Sequence, residues 1–429
     1  MTTYLGNLQF GVGISCGGEG IIHSANRLLE MKGHDNFMTM LLVDFSNAFN
    51  LVDRSTLIRE GRHRCPSIAS WIEFCYSSPA RLYYNDVVLS SAQEVQQGDP
   101  LGPLLFALAL HPIAENITTQ CSLDLHAWYL DDGTIVGDTM EVSKALKIIQ
   151  TNGPARGLHV NVTKTEVFWP SLDLRRDLED VFPVNIGKSS RGVKLLGGPV
   201  SLDMQYCSEV VQGRVDKTLH LWEKVQKLYD PQSELLLLRS CSGVSKLYFT
   251  LQTTAPLDIQ SSAIHYDSQL MLYLRQLVVG DSAGFGLLQR RLATLPIKDG
   301  GFGIYTLNDT CQYCFLASCA QNQHLQQSIL KQSSVLDPSF RFKHALQSFT
   351  QVCGLSVSGF SINDAAPQYM KTLAVIYFGA VKERIPTNFS LTDRDLTLWH
   401  CNRTPHAMDF LKAIPIHGIN QAIAPRQFR

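Results

Sequence analysis

The stretch Ala127-Trp128-Tyr129-Leu130-Asp131-Asp132-Gly133-Thr134-Ile135-Val136 decides how this chain is read. Two apolar runs of strand length flank a pair of adjacent carboxylates. Aspartate is depleted from strands and neighbouring like charges repel, so an acidic pair in this setting marks a strand boundary. Gly133 follows at once, and Asp-Gly is a strong hairpin signal. The stretch predicts a hairpin with both acids at its tip, a place to hold a divalent metal.

Upstream, Met38-Thr39-Met40-Leu41-Leu42-Val43-Asp44-Phe45 is a short apolar run ending in an acid, and it reads as a buried strand. Ser46 and Asn47 are candidate caps for a helix over residues 48–62. A second helix is predicted over 68–76 and a hairpin over 80–89. Asp99-Pro100 is expected to open another helix, Asp as the cap and Pro in the first turn. Leu101, Leu104, Leu105, Leu108 and Ala109 would form its buried stripe, and Pro112 would end or kink it. A helix over 141–151 and a loop or strand over 157–161 follow. This alternation of strands and helices predicts an α+β or α/β core. From about residue 205 the pattern turns helical, with Val211, Val215, Leu219, Trp222 and Val225 at helical spacing. A glycine-rich loop over 296–303 precedes a last helical region, 308–429.

The 429 residues suggest two or three domains. Hydrophobic residues make up 45%, enough for real cores and against disorder. There is no run of eighteen apolar residues, so no membrane span is expected, and the N-terminus lacks the pattern of a secretory signal. The 11 scattered cysteines suit reduced intracellular thiols better than a disulfide framework. Net charge is -1, which gives no global support for nucleic-acid binding. The balance is uneven, however. Residues 1–170 carry 11 Lys and Arg against 17 Asp and Glu, whereas the remainder is net +5. A grip on nucleic acid would come from the back part.

Asp44 at one strand end and Asp131-Asp132 at a hairpin tip can converge. Two carboxylates about 4 Å apart repel by roughly 4 kcal/mol at an effective dielectric near 20, so such a cluster calls for a proton or a hard cation. Mg²⁺ takes few carboxylates, keeps waters and binds substrate phosphates. Two such ions would activate a 3'-hydroxyl and steady a leaving pyrophosphate, which makes the reaction class phosphoryl or nucleotidyl transfer. The acids alone leave open a plainer reading, in which they are unrelated turn residues.

Further motifs follow in order. Leu42-Val43-Asp44-Phe45-Ser46-Asn47-Ala48-Phe49-Asn50 is an acid followed by a small residue and an aromatic. Gln97-Gly98-Asp99-Pro100-Leu101-Gly102-Pro103 comes next, then Tyr129-Leu130-Asp131-Asp132. Gly157-Leu158 leads through Asn161 to Lys164-Thr165-Glu166, then come Lys194-Leu195-Leu196-Gly197-Gly198 and Leu295-Pro296 with Gly300-Gly301-Phe302-Gly303. In this order, over residues 8–305, the chain resembles the reverse transcriptases of non-LTR (LINE-like) retrotransposons, their plant relatives most of all.

The resemblance implies a right-hand polymerase palm, an antiparallel sheet with packed helices, over residues 38–204. It implies a remnant of the fingers over 1–37, a thumb-like helical region over 205–305 and a helical C-terminal region over 306–429. Asp44 and Asp131 would be the main metal ligands, with Asp132 adjoining and the Phe45 carbonyl as a further ligand. Phe49 would lie under the incoming sugar and exclude a 2'-hydroxyl. Gln97 and Gly98 would border the nucleotide, glycine allowing close backbone approach. Lys164 would protonate or neutralise pyrophosphate, and Leu196 and Gly197 would steady the primer.

The implied partners are an RNA template, a DNA primer and deoxynucleoside triphosphates. The cofactors are two Mg²⁺ ions, with Mn²⁺ as a substitute, and the setting is intracellular and nuclear. Only about forty residues precede Asp44, so the chain reads as a fragment lacking most of the fingers. Two alternatives stand beside RNA-directed DNA synthesis. One is a catalytically inactive, nucleic-acid-binding remnant. The other is an intron maturase-like or RNA-synthesising palm polymerase, against which Phe49 argues.

Two weaker signals remain. Cys311, Cys314, Cys319 and His324 have near-zinc-knuckle spacing, yet Cys311, Cys314, Phe315, Ser318 and Cys319 share one helix face, the pattern of a buried stripe. Arg54, Arg59, Arg62 and Arg64 either contact phosphates or form a solvated helix face, and the second is the plainer reading.

Overall fold

The computed structural model describes residues 5–429 except 97, 281, 283, 332–336, 356–367, 417, 419, 420 and 429. The chain divides into two compact units. One comprises Met1–Asp203 with Asn322–Asp337, the other Met204–Gln321 with Pro338–Arg429.

The first unit is built on a five-stranded sheet. Its strands are β1 (Met38–Val43), β4 (Leu123–Tyr129), β5 (Asp132–Asp138), β6 (Glu166–Phe168) and β7 (Gly187–Ser189), in the order β4-β5-β1-β6-β7. The continuous apolar run of β1 suits a central strand covered on both faces. It pairs antiparallel with β5 on one side and β6 on the other, and only β7 runs parallel to its neighbour. The helices of this unit are α1 (Gly17–Lys32), α2 (Ala48–Leu51), α3 (Arg54–Arg64), α4 (Ala69–Tyr76), α5 (Gly102–Gln120) and α6 (Thr139–Asn152). Leu105, Phe106 and Ile117 of α5 and Val142, Leu146 and Ile149 of α6 share one core with Leu41, Trp128, Ile135 and Val167 of the sheet. Two small hairpins complete the unit: β2 (Ala80–Tyr84) with β3 (Val87–Ser91), and β8 (Val193–Leu195) with β9 (Gly198–Val200). The α+β class, with an antiparallel sheet and packed helices, is the one expected.

Three local expectations need correction. The helix expected over 48–62 is two helices, because Val52 turns into the core in an extended conformation between them. Asp53 is the working cap, its Oδ2 accepting from the Thr56 amide at 2.7 Å. Asn47 makes no such bond. Helix α5 begins at Gly102 rather than at Asp99, and Pro103 occupies its first turn. The Asp99 carboxylate instead holds the preceding turn through the Leu101 amide at 2.9 Å. Of the two outcomes expected at Pro112, an end or a kink, the first does not occur, since α5 runs on to Gln120. A mid-helix proline costs about 3 kcal/mol. Beyond it Ile113, Ala114 and Ile117 are all buried, and at about 1.5–3 kcal/mol for a fully buried Ile they offset that cost.

The short helix Gln323–Ile329 also belongs to the first unit, where it lies along α1.

The second unit is helical. Its longer helices are α7 (Met204–Val225), α8 (Gln260–Val279), α9 (Leu307–Gln321), α10 (Phe340–Cys353), α11 (Tyr369–Phe389) and α12 (Asp393–Asn402). Val211, Val215, Trp222 and Val225 are buried along α7, as their spacing predicts. Trp222 meets Tyr266 of α8 edge-on at 5.0 Å and donates to the Ser242 carbonyl. The cysteine stripe is helix packing: Cys311, Cys314, Phe315 and Ser318 are buried on α9. Cys311 Sγ donates to the Asn308 carbonyl at 3.2 Å, and Cys314 Sγ lies 3.7 Å from the Met370 sulfur. Burial pushes both thiols up, which disfavours the thiolates that zinc requires. His324 lies in the other unit. Among the described residues, no helix is long and apolar enough to cross a membrane.

Candidate active site

Pairing places Val43 opposite Gly133 and Tyr129 opposite Asp132, so the end of β1 runs beside the start of β5. Asp44 follows β1 directly and is half-buried. The expected hairpin is present, but its two-residue turn is Leu130-Asp131 rather than Asp132-Gly133. The reason is Trp128. Gly133 sits across from it, and a Cβ there would lie 2.5 Å from the indole ring. The indole is itself fixed. It stacks on Phe45 with centroids 5.9 Å apart, and Nε1 donates to His126 Nε2 at 2.8 Å. Thr118 bonds the other ring nitrogen of His126 at 3.2 Å. The glycine makes room for an indole, and the turn falls two residues earlier, opening at Leu130 with φ +56°.

Asp131 therefore occupies the turn, half-buried, and Asp132 opens β5 and is exposed. Crowding by protein atoms raises the Asp131 carboxyl above its ordinary value, and the Asp44 charge adds to this. Asp132 is pushed up to about 6 by the same desolvation, then by the charges of Asp131 and Asp44. The charge of Asp44, distant in sequence, thus reaches both members of the adjacent pair Asp131-Asp132.

A segment far along the chain clasps the Asp44 backbone. The Asn161 amide donates to the Asp44 carbonyl at 2.8 Å, and the Asp44 amide donates to the Thr165 hydroxyl at 3.2 Å. Thr165 is wholly buried. Ser46 N–H donates to the His159 carbonyl at 2.8 Å. Phe45 and Val160 face each other between these bonds, so the Phe45 carbonyl is turned out of the ladder.

The donor chemistry suits a hard cation: carboxylate oxygens from Asp44 and Asp131, with a backbone carbonyl at Phe45. Among the described residues no three His, Cys, Asp or Glu side chains are gathered closely enough to hold an ion unaided. Mg²⁺ ordinarily takes one or two carboxylates and completes its shell with water and phosphates.

The remaining candidates sit on other elements of the unit. Phe49 is half-buried and stacks on Phe106 at 4.4 Å. Gly98 is exposed with φ +89°, and a Cβ there would touch nothing. Its positive φ is one that glycine adopts without strain. Gln97 lies outside the described residues. Lys164 is exposed, on the segment that clasps Asp44. Leu196 and Gly197 form the β8–β9 turn with φ +48° and +91°.

The arginines divide. Arg54 is buried and holds the strand end at Ser91 and Glu94 through its guanidinium, whereas Arg62 and Arg64 pair with Glu73 and Glu115. Arg59 stays mostly exposed.

Gln9 belongs to the segment Gln9-Phe10-Gly11-Val12 to Gly17-Gly18-Glu19, which resembles the last piece of the fingers and by itself assigns Gln9 no role at this turn. It is 4% exposed, and its amide bonds the backbone of Leu130. Thr165 and His126 likewise carried no local signal of their role, because each acts on residues distant along the chain.

Residues 20–200 match the family model for reverse transcriptase (RNA-dependent DNA polymerase), a span that includes Asp44, Asp131, Asp132 and Lys164. No curated protein matches the chain. Among solved structures, the chain is similar to telomerase from Candida albicans in complex with a TWJ fragment of telomeric RNA. Identity is 10%, coverage is 90% of this chain and 52% of that one, and the TM-score is 0.33. The chain spans about half the length of that relative.

Proposed function

We propose that this chain, which carries a reverse transcriptase domain over residues 20–200, is an RNA-directed DNA polymerase of retrotransposon origin. The observation that supports the reading is the β1–β5–β4 register, which sets the end of β1, where Asp44 follows, beside the start of β5 and the turn that carries Asp131. Asp44 and Asp131, with the Phe45 carbonyl, would hold two Mg²⁺ ions. Bound there, the ions would supply charge for a 3'-oxygen nucleophile and a departing pyrophosphate. Asp132 would keep the pocket anionic from its edge. Phe49 would bear on the sugar of an incoming deoxynucleotide, Gln97 and Gly98 would border it, and Lys164 would meet pyrophosphate. Leu196 and Gly197 would steady the primer end. Template and primer are RNA and DNA in this reading.

The test is primer extension on an RNA template with deoxynucleotides and Mg²⁺. Asp44→Asn and Asp131→Asn are each expected to cut extension by at least about 10²-fold, the scale of losing one preorganised charge contact. Extension by Asp131→Asn at the wild-type rate would refute the reading. A wild-type chain that binds template–primer duplex and never extends it would establish the inactive remnant instead.

A further inference from the structure

We propose that Gln9 is a positioning residue: its side-chain amide sets the Leu130-Asp131 turn and hence the direction of the Asp131 carboxylate. The inference rests on the polymerase reading for its catalytic consequence, but its geometry stands apart. Gln9 Oε1 accepts from the Leu130 amide at 2.7 Å, and Gln9 Nε2 donates to the Leu130 carbonyl at 3.1 Å. One side chain thus satisfies both backbone groups of a residue 121 positions away. The same Oε1 accepts from the Gly11 amide at 3.0 Å, which orients the side chain from behind. Phe10 N–H donates to the Trp128 carbonyl at 2.7 Å, so the Gln9 backbone runs parallel to β4.

These contacts fall where the turn needs support. Leu130 is a branched aliphatic residue at φ +56°, a conformation L side chains avoid. In a two-residue hairpin turn the groups of the first turn residue point away from the ladder and are ordinarily met by water. Here a buried amide meets them. Gly11 closes the other side, since a Cβ there would come within 2.8 Å of both the Leu130 amide nitrogen and its Cγ. Leu130 is wedged as well as bonded, and Asp131 follows it directly. A carboxylate on an unsupported turn would sample several directions, whereas this one is held from a different part of the chain.

The experiment compares the full-length wild type with Gln9→Ala and Gln9→Glu by two readouts. In hydrogen–deuterium exchange, Gln9→Ala should raise exchange across residues 127–134 selectively, by about tenfold or more at Leu130, leaving β1 and β6 protected. In primer extension, Gln9→Ala should lower kcat by about 10²-fold, the scale of an angstrom-sized misplacement, with template–primer affinity unchanged. Gln9→Glu keeps the acceptor for the Leu130 and Gly11 amides and should recover part of both effects. Unchanged exchange at 127–134 in both variants, or a loss of extension arising wholly through duplex affinity, would overturn the proposal. If Gln9→Ala fails to fold, Gln9→Glu carries the test alone through the same two readouts. Selective exchange at 127–134 in a chain that extends no primer would uphold the clamp and refute the polymerase reading.

Discussion

Gly133→Ala is a one-methyl perturbation whose cost is set by a neighbour that cannot move. The new Cβ would lie 2.5, 2.7 and 3.0 Å from Trp128 Cζ3, Cη2 and Cε3. All three atoms belong to the outer ring of the indole. That ring is stacked on Phe45 and tethered through Nε1 to a buried histidine, so relief must come from the strands themselves. Overpacking of this kind costs about 1–3 kcal/mol. For a unit near two hundred residues each kcal/mol moves Tm by roughly 2–4 °C, so a fall of about 2–12 °C is expected in calorimetry of the full chain. The cause is isolated by a double-mutant cycle. Trp128→Phe removes the clashing atoms and is itself destabilising, because it leaves a space and takes the donor from His126. In that background Gly133→Ala should cost at least about 1 kcal/mol less than in the wild type. A Tm unchanged by Gly133→Ala, or an equal cost in both backgrounds, would refute the steric account of why the turn sits at Leu130.

Two further predictions follow from the same unit. Burial pushes His126 down to about 3, so it stays neutral in the folded chain while an unfolded histidine titrates near 6.5. Its contribution to stability is complete above about pH 6.5 and is lost as pH falls from there toward 3. His126→Gln, which can still accept from Trp128 and donate to Thr118, should flatten the acid limb of a Tm-against-pH curve. Asp132, raised to about 6, contributes with the opposite sign between its ordinary value and 6, and it cancels in the difference between the two proteins. An acid limb of equal slope in the variant would count against the buried neutral ring. At the β8–β9 turn both residues have positive φ, the geometry in which Asn-Gly is favoured. Leu196→Asn should therefore raise unfolding stability by about 0.5–1 kcal/mol in denaturant titration. If Leu196 steadies a primer, the same change should raise KM for template–primer. A less stable variant would remove the strain argument.

The features legible in the sequence are those written in short-range periodicity. The apolar run of β1 with Asp44 after it and the paired apolar runs around Asp131 are there. So are the stripe of α7 and the cysteine face of α9, because side-chain direction repeats every 2 or 3.6 residues whatever the rest of the chain does. Local competition explains the misplaced details. Asn47 has the chemistry of a cap, but Asp53 has the position, since burying Val52 breaks the helix between them. Asp132-Gly133 has the composition of a turn, but the demand for a missing Cβ came from Trp128 across the strand.

Other features needed the assembled unit. The strand order β4-β5-β1-β6-β7, the clasp of Asn161 and Thr165 on the Asp44 backbone, the Gln9 amide on Leu130 and the docking of Gln323–Ile329 on α1 all join residues far apart in the chain. A hydrogen bond across 121 positions leaves no periodic trace, because its partners are chosen by packing and by the need to satisfy buried polar groups, not by their sequence neighbours. Residue order alone thus marked Asp44, Asp131 and Asp132 as candidates and placed them on their local elements. The folded sheet decided that β1 ends beside the start of β5, that Asp131 occupies the turn before it, and that a glutamine from far along the chain bonds the Leu130 backbone in that turn.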